Sequence, residues 1–254
     1  MGTKFSTRIW VSVVGIASIF LGSKGYADTV ISVADFGLKP DTRENAVAYV
    51  QKAIEACRGK EPVTLVFPEG RYDFWPQYAH EKNYYETNTY DVFPKRLAML
   101  FEGLHNITVD GNGSQFVMHD RIQPITVENC DGVTLKNFSI DWDIPLTAQA
   151  RVTKVGSDFF EIEINVLESP YIIEDGKLVF VGEGWKSALG SMIEFESDTH
   201  FVVPGTGDLV LGRNWRDYTA VSPRYGIVRL SRKGGFERYP AEGNWLVLRH
   251  STRD

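Results

Sequence analysis

Cysteine is scarce in this chain. Only Cys57 and Cys130 occur among 254 residues, too few for a disulfide framework. Cys57 falls at the end of a helical pattern and Cys130 in an apolar position, so two buried free thiols are expected, with a single bridge as the alternative. No Cys/His pair has zinc spacing, and the five His are scattered. Basic residues are not in excess either: 27 Lys and Arg face 33 Asp and Glu, a net charge of −6. That excludes a protein built to displace counterions from nucleic acid. Nucleophile-elbow, HExxH, P-loop and dinucleotide patterns are absent, so neither a metal nor a cofactor is expected. Asp110-Gly111-Asn112-Gly113 lacks the alternating ligands and distant Glu of an EF-hand loop and reads as a corner.

The longest apolar run is N-terminal. Lys4 and Arg8 precede Ile9 to Leu21, and Gly25-Tyr26-Ala27 places small residues at −3 and −1. This is a secretory signal pattern, too short for a comfortable membrane span, with an uncleaved anchor as the alternative. Cleavage after residue 27 removes Lys4, Arg8 and Lys24 and no acid, shifting the net charge from −6 to −9. The expected product is an acidic protein, periplasmic or extracellular, without a membrane span.

What is plentiful points to β-structure. Hydrophobic residues make up 43%, aromatics 13%, and there are 23 Gly and 11 Pro. Many short strands joined by turns are expected, with a carbohydrate-facing surface as a weaker implication. Residues 28–74 read as strand, helix, strand, strand. The helix over 44–57 has Asp41 as N-cap, Glu44 completing a capping box and Gly59 as stop. Residues 76–96 are polar and aromatic without period, an excursion loop whose four Tyr and one His could meet sugar rings or pack on themselves.

A repeat follows. LHNITVDGNGSQF at 104–116 aligns with CDGVTLKNFSIDW at 130–142 at an offset of 26. Leu104 matches Cys130, Ile107 Val133, Val109 Leu135 and Phe116 Trp142, and Leu100-Phe101 match Thr126-Val127. Short apolar strands with Asn, Asp and Gly corners at this period are the signature of a parallel β-helix, its inward positions including Ile107, Val109, Val133, Leu135 and Ile140. The helix would cover its first coil. After Pro145 the pattern alternates: a hairpin over 150–166, then strands near 177–181, 192–196, 208–212 and 226–231, an antiparallel barrel or sandwich. Asn244 to Leu248 returns to the coil-like pattern. The expected fold is thus all-β: a right-handed parallel β-helix with an N-terminal capping helix and an inserted antiparallel β-barrel or sandwich. Its divisions are 1–27 signal peptide, 28–149 β-helix, 150–243 insertion and 244–254 resumed β-helix. Two or three coils with an open edge suggest the N-terminal part of a longer protein.

Asp141 and Asp143 in SIDWDIP share one strand face, with Trp142 opposite and Asp131 nearby. Two carboxylates beside an aromatic suit sugar chemistry, and same-strand neighbours stand about 6.5–7 Å apart, compatible with an inverting pair. Solvated corner residues are the alternative.

ISVADFGLKPD and TLVFPEGRYDF resemble the opening of the pectin-lyase-like right-handed β-helix superfamily. FEGLHNITVDGNGSQF, SIDWDIP and GNWLVLRHSTRD resemble the α-1,3-galactosidases of glycoside hydrolase family 110 more narrowly, across essentially all of residues 28–254. The resemblance implies removal of terminal α-1,3-linked galactose from blood-group-B-type and related glycans, with inversion and without a metal. It also implies that the catalytic carboxylates lie downstream of Asp254, so no catalytic residue is assigned. Asp141, Asp143, Arg249 and His250 are the expected cleft residues toward a galactose-terminated glycan. A pectin-degrading enzyme and a non-catalytic glycan-binding β-helix are the other readings.

Overall fold

The computed structural model describes residues 29–84, 93–206, 211 and 215–250. The signal segment and the 208–212 strand, but for Leu211, lie outside them. The first half of the chain runs through β1 (Thr29–Ser32), α1 (Val47–Cys57), β2 (Val63–Val66), β3 (Arg71–Phe74), β4 (His80–Tyr84), β5 (Phe93–Glu102), β6 (His105–Met118), β7 (Gln123–Glu128) and β8 (Asp131–Trp142). Long β6 organises it. Its first half pairs with β2 and its second with β3, both parallel, while β8 runs parallel along its other edge. β1 adds to β2, also parallel. A separate sheet holds β5 parallel to β7, with β4 antiparallel to β5.

The 26-residue offset is the strand register at Leu100–Thr126, Phe101–Val127, Ile107–Val133 and Val109–Leu135. It does not hold at Phe116, which pairs with Ile140 rather than Trp142 because the register shifts between Asp110 and Ser114. The corner in β6 is longer than the one in β8. Asn112 (φ 50°) and Gly113 (φ 85°) turn left-handed there, whereas β8 uses Asn137 (φ 59°). Gly111 must be glycine: a Cβ would stand 2.5 Å from Phe138 Cβ and 2.7 Å from the Asn137 carbonyl. Asp110 ties the two corners, accepting 3.0 Å bonds from Asn112 N and Asn137 Nδ2.

Behind these strands lies one core. Phe67, Tyr72, Phe74 and Phe116 are fully buried, and Phe116 packs its ring against Phe67 (4.7 Å), Phe74 (5.7 Å) and Phe138 (4.8 Å). Helix α1 adds Val47, Val50, Ala53, Ile54 and Cys57, as its spacing predicts. Its start differs from expectation. The first turn is held by Asn45, whose Oδ1 accepts from Val47 N at 3.1 Å. Asp41 instead takes a left-handed φ of 60° and exchanges bonds with Arg71: its backbone N donates to Arg71 O, and its Oδ1 accepts from Arg71 N. Pairing with β3 wins over capping. Leu135 and Ile140, expected inside, are each 39% exposed, because among the described residues β8 pairs only with β6. The excursion after residue 76 contains a two-stranded pairing that its lack of period concealed: β4 on β5, with Lys82 Nζ bridging Glu102 (2.8 Å) and Glu128 (2.7 Å). Cys57 and Cys130 are free thiols.

The second half is antiparallel: β9 (Thr147–Val155), β10 (Phe159–Ile164), β11 (Tyr171–Glu174), β12 (Lys177–Gly182), β13 (Trp185–Ala188), β14 (Ser191–Phe195), β15 (Thr219–Arg224), β16 (Ile227–Ser231) and β17 (Trp245–Arg249). One sheet has the order β14-β17-β9-β10-β16-β15 and a second β11-β12-β13. Alternation along β9 and β10 buries Ala148, Ala150, Val152, Phe160, Ile162 and Ile164 in a core of its own. The expectation that 244–254 resumes the β-helix needs correction in its described part. Trp245–Arg249 does not rejoin the parallel stack but pairs antiparallel with β9 and β14. A short apolar run looks the same in either setting; the partner decides. Among the described residues no helix is long and apolar enough to cross a membrane.

Candidate functional site

Three successive parallel strands end side by side. Phe74 pairs with Met118 and Met118 with Trp142, so the next residues, Trp75, His119 and Asp143, form a column. His119 N donates to Phe74 O and Asp143 N to Met118 O, continuing the ladder. The rings of Trp75 and His119 stack at 3.8 Å and 13°. Arg71 and Asp73, two residues apart on β3, project toward this column.

The charges there interlock. Arg71 donates to Asp73 through Nε (3.0 Å) and Nη2 (2.6 Å), and its Nη2 also reaches Asp143 Oδ1 at 2.7 Å. Arg43 Nη2 adds a 3.2 Å bond to the same Asp143 oxygen. His119 Nε2 meets Asp73 Oδ1 at 2.8 Å, and Nδ1 meets Glu183 Oε2 at 2.7 Å. Glu183 sits in the β12–β13 turn and also accepts from Trp75 Nε1 at 3.1 Å, so this site is where the antiparallel unit touches the parallel stack. Side chains of Asp73 and His119 are 0% and 1% exposed, that of Glu183 40%. Both imidazole contacts are hydrogen bonds only when each ring nitrogen carries a proton or one carboxylate holds it. Burial pushes the Asp73 carboxyl up, but bonds and charge from Arg71 and His119 outweigh it and hold the group below its ordinary value. Arg71 is held protonated more firmly than usual, chiefly by its bond to Asp73, against desolvation.

Asp73, His119 and Asp143 offer ligand atoms within 4.8 Å of one another, the geometry of a metal cluster. The Arg71 guanidinium already bridges both carboxylates, supplying the positive charge a cation would bring. The arrangement is a carboxylate clamp bridged by a guanidinium, not an open acid–base pair.

The four expected cleft residues are scattered around it. Asp143 joins the clamp, with 27% of its side chain exposed. Asp141 is exposed and accepts from Trp142 N at 2.8 Å, so the two carboxylates of SIDWDIP do different work. Arg249 is half-buried in β17. His250 is 3% exposed and stacks on Phe180 (4.3 Å) and Trp185 (5.2 Å), with no hydrogen-bond partner for either ring nitrogen among the described residues. Burial, and then the Arg121 charge, lower its pKa to about 4. Arg71, Asp73, His119 and Glu183 were not singled out from sequence. Aligning the ends of RYDFW, FVMHD and IDWD by strand register would have revealed the Trp75–His119–Asp143 column.

Residues 148–246 match the family model of GLAA-B β-barrel domain I. The chain is 57% identical over 230 residues to alpha-1,3-galactosidase B of Bacteroides thetaiotaomicron, covering 90% of this chain and 37% of that protein. It is 33% identical over 226 residues to alpha-1,3-galactosidase A of Shewanella woodyi (88% and 36%), and 30% over 234 residues to alpha-1,3-galactosidase B of Akkermansia muciniphila (91% and 28%). The chain thus spans between 28% and 37% of the length of these relatives. By sequence it is related, over about nine-tenths of its length, to the α-1,3-galactosidases A and B, which are glycoside hydrolases.

Proposed function

We propose that this chain is part of an exported exo-glycosidase that removes terminal α-1,3-linked galactose from blood-group-B-type and related glycans with inversion. The 57% identity to a protein named alpha-1,3-galactosidase B carries the glycosidase part of this reading. The signal pattern at residues 1–27 supports export, and the parallel stacking at a near-constant interval supports a right-handed β-helix as its frame.

Within that protein the chain acts as scaffold. Hydrolysis needs an acid and a base on either side of the glycosidic bond, with about 5–5.5 Å between carboxyl groups for retention and about 6.5–9.5 Å for inversion. Asp73 and Asp143 are bridged by a guanidinium, Glu183 is tied to His119 and Trp75, and Asp141 stands alone. The catalytic carboxylates are therefore expected outside the described residues. Residues 28–254 alone should not release galactose from Gal-α-1,3-Gal, whereas the full-length protein should, with β-galactose as the first anomer seen by NMR. Equal turnover by the shorter chain would place the chemistry among Asp141, Asp143 and Glu183. Cleavage of polygalacturonate instead would favour a pectin-degrading enzyme, and binding without turnover by the full-length protein a glycan-binding one.

A further inference from the structure

A groove of about 510 Å³ is lined by Trp75, Pro76, Gln77, Tyr78, Ala79, Glu81 and Arg96. Its volume is within the range of small-ligand sites. None of these residues belongs to the carboxylate–histidine chemistry above except through Trp75, whose one face is covered by His119. Trp75 itself is half-buried. Its Nε1 is anchored on Glu183, so the ring is a fixed wall.

The rest of the groove is equally preformed. The turn after Trp75 is held from α1 and the residues before it: Asn45 Nδ2 donates to Gln77 O at 2.8 Å and Gln51 Nε2 to Tyr78 O at 3.0 Å. Tyr78 is 65% exposed and takes a left-handed φ of 69°, a conformation bulky residues rarely adopt and one that tends to persist where a side chain must be aimed. Across the groove Glu81 and Arg96 pair between β4 and β5 at 3.3 Å, with 60% and 50% of their side chains exposed.

We propose that this groove is a glycan subsite that holds one pyranose ring against Trp75 and Tyr78. A sugar ring presents weakly positive C–H groups on its face and hydroxyls at its edge. The first suit the negative faces of aromatic rings, and the second suit paired planar groups such as carboxylate and guanidinium. The groove excludes other classes: its one guanidinium faces a carboxylate, which disfavours phosphate, and its charged rim disfavours lipid. Preformed walls leave little ordering cost on binding. The choice of a galactoside as probe rests on the glycosidase reading above; the geometry requires only a pyranose.

The test titrates the chain with α-1,3-galactobiose, following tryptophan emission and the Trp75 indole N–H signal by NMR. The expected result is saturable binding that moves the Trp75 signal, weakened about fivefold by Tyr78→Ala and comparably by Arg96→Ala. Tyr225→Ala, at a more exposed tyrosine in the antiparallel unit, should leave it unchanged. Unaltered far-ultraviolet circular dichroism guards against misfolding of the variants. No saturation, or equal affinity in Tyr78→Ala, overturns the subsite. Turnover by the full-length protein separates the two ideas: hydrolysis with an unaffected Tyr78→Ala removes the subsite alone, whereas binding at the groove without hydrolysis removes the galactosidase alone.

Discussion

In the parallel stack, rings from neighbouring strands meet, and Phe116 packs against Phe67, Phe74 and Phe138. In the antiparallel unit, short turns join β9 to β10, β11 to β12, β12 to β13 and β15 to β16, and the core comes from alternation within strands, as in Phe160, Ile162 and Ile164. The two cores share no residue. Both units leave edges: among the described strands β8 has one partner, as do β14 and β15 of the antiparallel sheet. The stack therefore builds its core across strands, whereas the antiparallel unit builds its own along them.

The sharpest test of this contrast is a matched pair of truncations. Phe116→Ala should cost about 4 kcal/mol and Phe160→Ala about 3 kcal/mol in urea unfolding. If the units unfold separately, each variant should shift only one of two transitions; a single shared transition would break the comparison and make the Glu183 junction cooperative. Removing the buried acceptor with Asp73→Ala should cost about 3 kcal/mol, because Arg71 and His119 lose a shared partner. That loss should appear in the transition of the parallel stack, with β-structure of the other unit retained by circular dichroism. Gly111→Ala, which forces a Cβ into Phe138, should cost about 2 kcal/mol in the same transition.

How much of this was legible depends on the kind of signal. Alternation exposed the β9–β10 hairpin and the 26-residue offset exposed the coil register, since both are periodic. The start of α1 was misread because Asp41 has the composition of a cap but is claimed by β3. Trp245–Arg249 was misread because five residues cannot name their partner. The clamp stayed hidden because Asp73, His119 and Glu183 are far apart in sequence and meet only through strand register and one hairpin turn.

Acid probes the antiparallel unit more gently. An unfolded His250 takes a proton below its ordinary value of 6.5, while the buried one resists until about 4. Between those values the unfolded chain binds more protons, so stability falls as pH drops, by up to about 1.4 kcal/mol per unit. Asp73 acts in a separate window. Its lowered pKa stabilises the fold above its ordinary value of 3.8, and that contribution is lost only below it. His250→Phe should flatten the urea midpoint between pH 6.5 and 4 and leave the steeper acid limb in place. The smallest effect is expected at the junction: Glu183→Gln keeps the Trp75 bond and weakens the one to His119, costing about 1 kcal/mol.

The unequal corners at Asp110–Ser114 and Asn137 have a consequence for how such a chain tolerates change in length. The second corner is shorter by two residues, an even number, so inward still meets inward: Phe116 lies over Ile140 and Ser114 over Phe138. Parity, more than length, is what the stack conserves. One residue inserted after Asn137 would place Ser139 beneath Phe116, and one removed would place Asp141 there, turning a carboxylate toward the rings. Insertions and deletions at this corner should therefore be tolerated in pairs and rejected singly.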